Sequence, residues 1–226
     1  MREIVLDTET TGLNFSGGDR VIEIGCVELI NHVSTNNTLQ FYCKVEKEIS
    51  KDAQKISGIT NKFLEDKKTF FEQYLELLDF IRDDTLIIHN ADFDIGFINN
   101  EFKIIGKEGL KNKVIDTVPL ARKTLNTRIA NLDYLCRYFN IDLSKRRLHG
   151  ALLDAQLLAE VYLELKGGKQ FSMDLATKKH LKTEQKENKN KTNLKIPKKR
   201  ISDEDLNLHK RMVKNIKDPI WSKYDY

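Results

Sequence analysis

Three strand-like apolar runs crowd into the first 46 residues, and their spacing restricts the chain more than any other feature. "EIVLDTE" (3–9), "RVIEIGCVELI" (20–30) and "TLQFYCKVE" (38–46) are separated only by turn-like stretches such as "TTGLNFSGGD" (10–19). Runs this close predict an antiparallel meander. Beyond it the pattern changes to alternating helices and strands. A helix is expected around Phe70–Ile81, with Phe71, Leu75, Leu78 and Phe80 as its apolar set, followed by a buried strand in "TLIIHN" (85–90). "DFDIGFINNEFKIIG" (92–106) reads as a helix entered from that strand, and "KVIDTVPLARK" (113–123) as a strand running into a helix. "NLDYLCRYFN" (131–140) is amphipathic, with Asn131 as its cap. A last long helix lies in "RRLHGALLDAQLLAEVY" (146–162), apolar on Leu152, Leu153, Leu157, Leu158, Val161 and, just beyond, Leu165. A meander followed by this alternation implies an α/β fold, a mixed sheet with helices on both faces.

Composition narrows the class. At 226 residues, 40% hydrophobic and 32% charged, the chain suits one medium-sized domain with extensions. Cys26, Cys43 and Cys136 are odd in number and form no CxxC pair, which suits reduced thiols better than a disulfide framework or a zinc knuckle. "MREIVLDTET" carries acids where a signal peptide needs an apolar core, and no apolar run approaches a membrane span. The expected address is cytoplasmic, without membrane contact.

The net charge of +4 hides an asymmetry. Residues 176–200 hold ten Lys/Arg against two Glu, residues 201–226 balance, and the first 175 residues are therefore net acidic. Almost no apolar content remains in 176–200, which reads as a disordered linker. Leu206, Leu208, Met212, Val213, Ile216, Ile220 and Trp221 then reappear in a segment too short for a core of its own, as expected of a helix or strand that docks on a partner.

Five residues could carry chemistry. Asp7 and Glu9, two apart at a strand end, leave one face of the sheet and repel each other unless protons or cations intervene. Two solvated strand-end acids are the plainer alternative. Asp94 follows a buried strand near a helix start, where sites assemble in α/β folds but where acids also serve as caps; Asp92 beside it leaves the choice open. Asp154 sits inside an apolar-faced helix, where an acid is costly unless paired or metal-bound, and His149 precedes that helix. Four acids and one His on three segments are what two divalent ions and a general base require, and oxygen ligands suit Mg²⁺.

"DTETTG" (7–12), "HNADFD" (89–94) and "HGALLDA" (149–155), in this order and separation, resemble the three exonuclease motifs of the DEDDh 3′→5′ exonuclease family. The likeness covers roughly the first 175 residues, and the wider match is closest to proofreading subunits of bacterial DNA polymerase III. It implies a ribonuclease-H-like mixed five-stranded sheet, a three-strand antiparallel meander plus parallel strands. It also implies two divalent metal ions, Mg²⁺ or Mn²⁺, on Asp7, Glu9, Asp94 and Asp154, with Asp7 shared between them and His149 as general base. A neutral His149 is needed to accept a proton, so activity is expected to rise into the alkaline range. Residues Thr8, Thr10, Gly12 and Leu13, together with Asp7, Glu9, Phe93 and His149, would meet the terminal nucleotide of a DNA 3′ end. Leu13 stands where relatives wedge a side chain between bases, although it could equally be an ordinary loop residue. "KISGIT" (55–60) has Ser57 where close relatives often carry His, which leaves the nucleotide contacts of that loop open.

The tail extends the resemblance. "QFSMDL" (170–175) resembles the sliding-clamp-binding motif of bacterial replication proteins, with Gln170 for a polar pocket and Met173 and Leu175 for an apolar one. The terminal segment would anchor to the polymerase III alpha subunit. The expected organisation is an exonuclease domain at 1–168, a clamp motif and basic linker at 169–200, and a polymerase-binding segment at 201–226. The leading expectation is a proofreading exonuclease releasing 5′-monophosphates. An RNA-trimming or repair exonuclease of the same family, and a clamp- and polymerase-binding module without catalysis, are the alternatives.

Overall fold

A five-stranded mixed sheet in the order β3-β2-β1-β4-β5 organises the first part of the chain. The structure, a computed structural model, describes residues 1–144, 146, 148–167 and 202–215. They fall in two units, 1–175 and 176–226. In the first, β1 (Arg2–Thr10), β2 (Val21–Ile30) and β3 (Val33–Tyr42) form the antiparallel meander. The parallel half is β4 (Thr85–Ile88), paired with β1, and β5 (Val114–Asp116), paired with β4. The mixed fold expected from the spacing is present.

β3 begins five residues earlier than its apolar pattern. Asn31 and His32, both at positive φ (51° and 62°), make a tight two-residue hairpin turn, and Val33–Thr38 then runs as an exposed arm on the sheet edge. A polar edge strand carries no hydrophobic signal, so propensity alone misses it. Two short helices, α1 (Lys51–Ser57) and α2 (Asn61–Leu64), occupy a stretch that has no clear apolar period; Ser50 and Thr60 cap them through side-chain oxygens.

The remaining helices of this unit are α3 (Phe70–Ile81), α4 (Ala91–Ile104), α5 (Thr117–Leu125), α6 (Leu132–Tyr138) and α7 (Ala151–Leu165). α3 has the expected span but a different face inward. Phe70, Gln73, Leu77 and Ile81 are buried, while Phe71 and Leu75 are more than half exposed and Leu78 is also exposed. Its capping box, Thr69 with Glu72, fixes the start, and the i, i+4 pattern from there selects the buried stripe. α7 buries Leu157, Leu158, Val161 and Leu165 as expected, and Ala151, Ala155, Ala159 and Tyr162 besides.

Alternation along β1 divides the core. Ile4 and Leu6 pack with α3 and α4, whereas Val5 packs with the cluster of α5, α6 and α7. The three cysteines are free and buried, in keeping with reduced thiols. In the second unit, α8 (Asp203–Lys214) is capped by Ser202, with acids in its first turn and Arg211 and Lys214 in its last. No helix among the described residues is long and apolar enough to cross a membrane.

Candidate active site

The site forms where β1 ends beneath the start of α7. Asp7 and Glu9 share the face of Val5, which α7 covers. Asp7 is paired in register with Gly25 on β2. A Cβ on Gly25 would lie 2.2 Å from the Leu152 nitrogen and 2.3 Å from the Ala151 carbonyl carbon. Backbone therefore meets backbone here, and only glycine lets the first turn of α7 rest on the sheet beside Asp7. Farther along α7, the Tyr162 hydroxyl donates to the buried Glu3 carboxylate (2.8 Å) and ties the helix to β1. Asp154, one turn into α7, is thereby held at 4% exposure over the strand end.

Asp94 arrives from the other layer. Asn90 turns the chain out of β4 in the left-handed conformation (φ 67°), and the Asp116 carboxylate accepts the Asn90 and Ala91 amides (3.1 and 3.2 Å) as well as that of Val118 (2.8 Å). Asp116 thus fastens the starts of α4 and α5 to the end of β5. Asp94 points inward from the first turn of α4 at 3% exposure and accepts from Thr8 Oγ1 (2.7 Å), while Asp92 is exposed. Of the two acids, Asp94 is the one turned into the fold.

His149 lies outside α7, half exposed, on a loop anchored by its own amide, which donates to the Ile56 carbonyl (3.0 Å). Its Nδ1 is 3.2 Å from Asp154 Oδ2. Ligand atoms of Glu9, His149 and Asp154 lie within 4.8 Å of one another. Beside them opens a cleft of about 410 Å³ lined by Asp7, His89, Asn131, Asp133, Arg137, Arg146, His149 and Asp154. Arg146 crosses it: Nε and Nη2 donate to the two oxygens of Asp154 (both 2.6 Å), and Nη1 donates to Asp133. Nη2 also stands 3.0 Å from His149 Nδ1. That nitrogen cannot accept from Arg146 and donate to Asp154 in one tautomer.

The electrostatics are those of crowded acids. Burial, reinforced by the charges of Asp94, Asp154 and Glu9, holds the Asp7 carboxyl well above its usual range. Burial and the nearby Asp154 push Glu9 to about 7, and burial raises Asp94 to about 7 against the hydrogen bond from Thr8. Burial works to raise Asp154 too, but hydrogen bonds from Arg146 and His149 outweigh it and the carboxyl sits below its ordinary value. The hydrogen bond to Asp154 raises His149, and burial lowers His89.

The residues expected at a nucleotide are distributed unevenly. Leu13 is 85% exposed at the tip of a loop that is itself well fixed. Asp19 bonds the Thr11 hydroxyl and the Asn14 amide, and Arg20 forks onto Glu101 of α4 (2.7 Å twice). Gly12 leaves room for the Asp19 carboxylate, which lies 2.4 Å from where a Cβ would stand. Thr10 Oγ1 is turned into the loop, donating to the Gly12 carbonyl (2.6 Å), and Phe93 packs on Phe97. Ser57 is buried, with its hydroxyl donating to the Ala53 carbonyl and accepting the Ile59 amide, so its bonds serve the end of α1. Gln170, Met173 and Leu175 lie outside the described residues. Sequence reasoning passed over Arg146, His89, Asp116 and Gly25. His89 stood within a quoted motif and Gly25 in the middle of a strand, where a glycine signals close backbone approach.

Metal ions suit this donor set. Four carboxylates, three of them raised chiefly by burial with neighbouring acids adding to it at Asp7 and Glu9, are an oxygen-rich site that hard divalent cations would suit. The described fold is that of known exonucleases. The nuclease domain of 3′hExo, a DEDDh family member, bound to rAMP superposes with a TM-score of 0.65 at 18% identity, covering 74% of this chain and 92% of that one. Exonuclease X in complex with 5′ overhanging duplex DNA gives 0.59 at 22% identity over 72% and 90%. The exonuclease (RNase_T) family profile matches residues 4–162, and the chain belongs to this family. Within it, the chain groups with proteins named DNA polymerase III subunit epsilon. That of Rickettsia felis is 42% identical over 224 residues, 96% of this chain and 97% of the relative. That of Escherichia coli K12 is 48% identical over 183 residues, 77% and 75%.

Proposed function

We propose that the protein is the proofreading 3′→5′ exonuclease of a bacterial replicative polymerase, a metal-dependent enzyme that removes mispaired 3′-terminal nucleotides as 5′-monophosphates. The observation that carries this reading is the convergence of Asp7, Glu9, Asp94 and Asp154 with His149 at the open end of the sheet. Two cations, Mg²⁺ or Mn²⁺, held by the four carboxylates would supply positive charge at the scissile phosphate. His149, on its exposed loop, takes the proton of the attacking water. The bond from phosphorus to the 3′ oxygen of the penultimate nucleotide then breaks, and the terminal nucleotide leaves with its 5′-phosphate. Asp154 orients the imidazole through Nδ1, and Asp7 and Glu9 are held by their pairing with Gly25 and Glu23 of β2, just past the end of the β4 ladder at Val5.

Leu13, exposed on a braced loop, is suited to lie against the terminal base, and the backbone of 8–13 to line its path. Residues 170–175 would engage the sliding clamp and residues 201–226 the polymerase III alpha subunit. Each is a short contact that tethering within one assembly makes effective. The amphipathic α8 and the relatives' shared name support the second assignment.

The test is excision by the purified full chain from matched and mispaired 3′ ends, on DNA and RNA of one sequence, alone and with the alpha subunit. Faster loss of mispaired deoxynucleotides as 5′-monophosphates, with co-elution of the two subunits, is expected. Preference for RNA, or release of 3′-phosphates, would refute the reading.

A further inference from the structure

The cleft holds a side chain that the proposed reaction does not use. Arg146 is 8% exposed, although it belongs to a strongly basic loop stretch that would ordinarily lie in water. Its fork occupies both oxygens of Asp154, and His149 approaches one of the same oxygens. A carboxylate offers about four lone-pair positions, so little of Asp154 is left for a cation while this geometry lasts. The guanidinium also offsets the charge of Asp7 and Glu9, the role the metals are expected to fill. Its third arm reaches Asp133, which is 46% exposed and sits at the cleft wall. Arg146 therefore spans from the most buried acid of the cleft to a solvated one, with a partner waiting at each end.

We propose that Arg146 is the built-in counter-ion of the metal-free centre: it neutralises Asp154 until a divalent cation takes that carboxylate, and then remains with Asp133 at the cleft wall. Arginine is suited to this because its planar fork satisfies a buried carboxylate fully, which lysine cannot do. The arrangement keeps the acidic centre folded without metal and sets a threshold for metal entry, since the cation that takes Asp154 must displace an ion pair. The inference rests on the reading of Asp154 as a metal ligand, and its test separates the two.

The full chain, stripped with EDTA, is titrated calorimetrically with Mn²⁺, and its melting is followed with and without the ion. In Arg146→Gln, Mn²⁺ binds about tenfold more tightly than in wild type, the scale of a charge-assisted hydrogen-bonded pair. The metal-free variant melts lower, so its gain in Tm on adding Mn²⁺ is larger. Arg146→Lys, which keeps the charge but not the fork, falls between the two and carries the comparison if the glutamine variant does not fold. Unchanged or weaker Mn²⁺ binding in these variants overturns the proposal, because a merely structural arginine would not restrain metal affinity. Asp154→Asn is the control: if it binds Mn²⁺ as wild type does, the assignment of Asp154 to the metal fails, and the proposal with it.

Discussion

At the scale of single residues, the site is a contest between burial and charge. Glu9 and Asp94 are pushed to about 7 from ordinary values of 4.5 and 3.8. The folded metal-free protein therefore keeps protons that the unfolded chain releases, and its stability falls as pH rises through that window. His149, raised by Asp154, acts in the same direction: its contribution is full below about 6.5 and is lost as pH passes its folded value. Melting in EDTA should decline from about pH 5 to about pH 8, and divalent ions should restore most of the loss at the higher pH. A flat or rising trend in EDTA would contradict the crowded-acid picture. His149→Ala should slow single-turnover excision by about 10²–10⁴-fold, the usual loss for a general base, with Mn²⁺ affinity less affected than in Asp7→Ala. The acids and His149 stood out as candidates in the sequence because each lies in a short motif whose spacing is local. Arg146 was not, since a run of basic residues reads as a solvated face and its bond to Asp154 depends on how the loop folds back. Ser57, expected near the nucleotide, spends its hydrogen bonds within α1 and its following turn.

At the scale of elements, the decisive contact is the start of α7 against β2. Gly25→Ala would drive a methyl group into the Ala151–Leu152 backbone, which cannot rotate away as a side chain could. The expected cost is about 1–3 kcal/mol, as for overpacking, together with a shift of Asp154 that weakens metal binding. Thermal melting and Mn²⁺ titration of this variant check both; wild-type values would mean that α7 can move without cost to the site. Strand and helix types were legible where apolar residues repeat, as in β1, β2, α4 and α7. They were obscure where polar residues form structure through turns and caps, as in the β3 arm after Asn31–His32 and in α1 and α2. The face of α3 was misjudged because the helix has apolar residues all round, and packing selects Phe70, Leu77 and Ile81 over Phe71 and Leu75.

At the scale of the whole molecule, charge and chemistry are divided along the chain. The catalytic part is net acidic, the stretch 176–200 strongly basic, and the terminal segment balanced and amphipathic. This division predicts separable functions: a chain ending at Gly167 should retain single-turnover excision but lose co-elution with the alpha subunit in size-exclusion chromatography. Loss of excision together with co-elution would tie the tail to catalysis instead. The central claim, that the acids of β1 serve a metal-dependent exonuclease, is tested most directly by one comparison. Single-turnover excision of a mispaired 3′-terminal deoxynucleotide is measured in Mg²⁺ for the wild type and for Asp7→Ala, with folding of the variant verified by melting. The account predicts 5′-mononucleotide release by the wild type and none by the folded variant; persistent release by Asp7→Ala would contradict it.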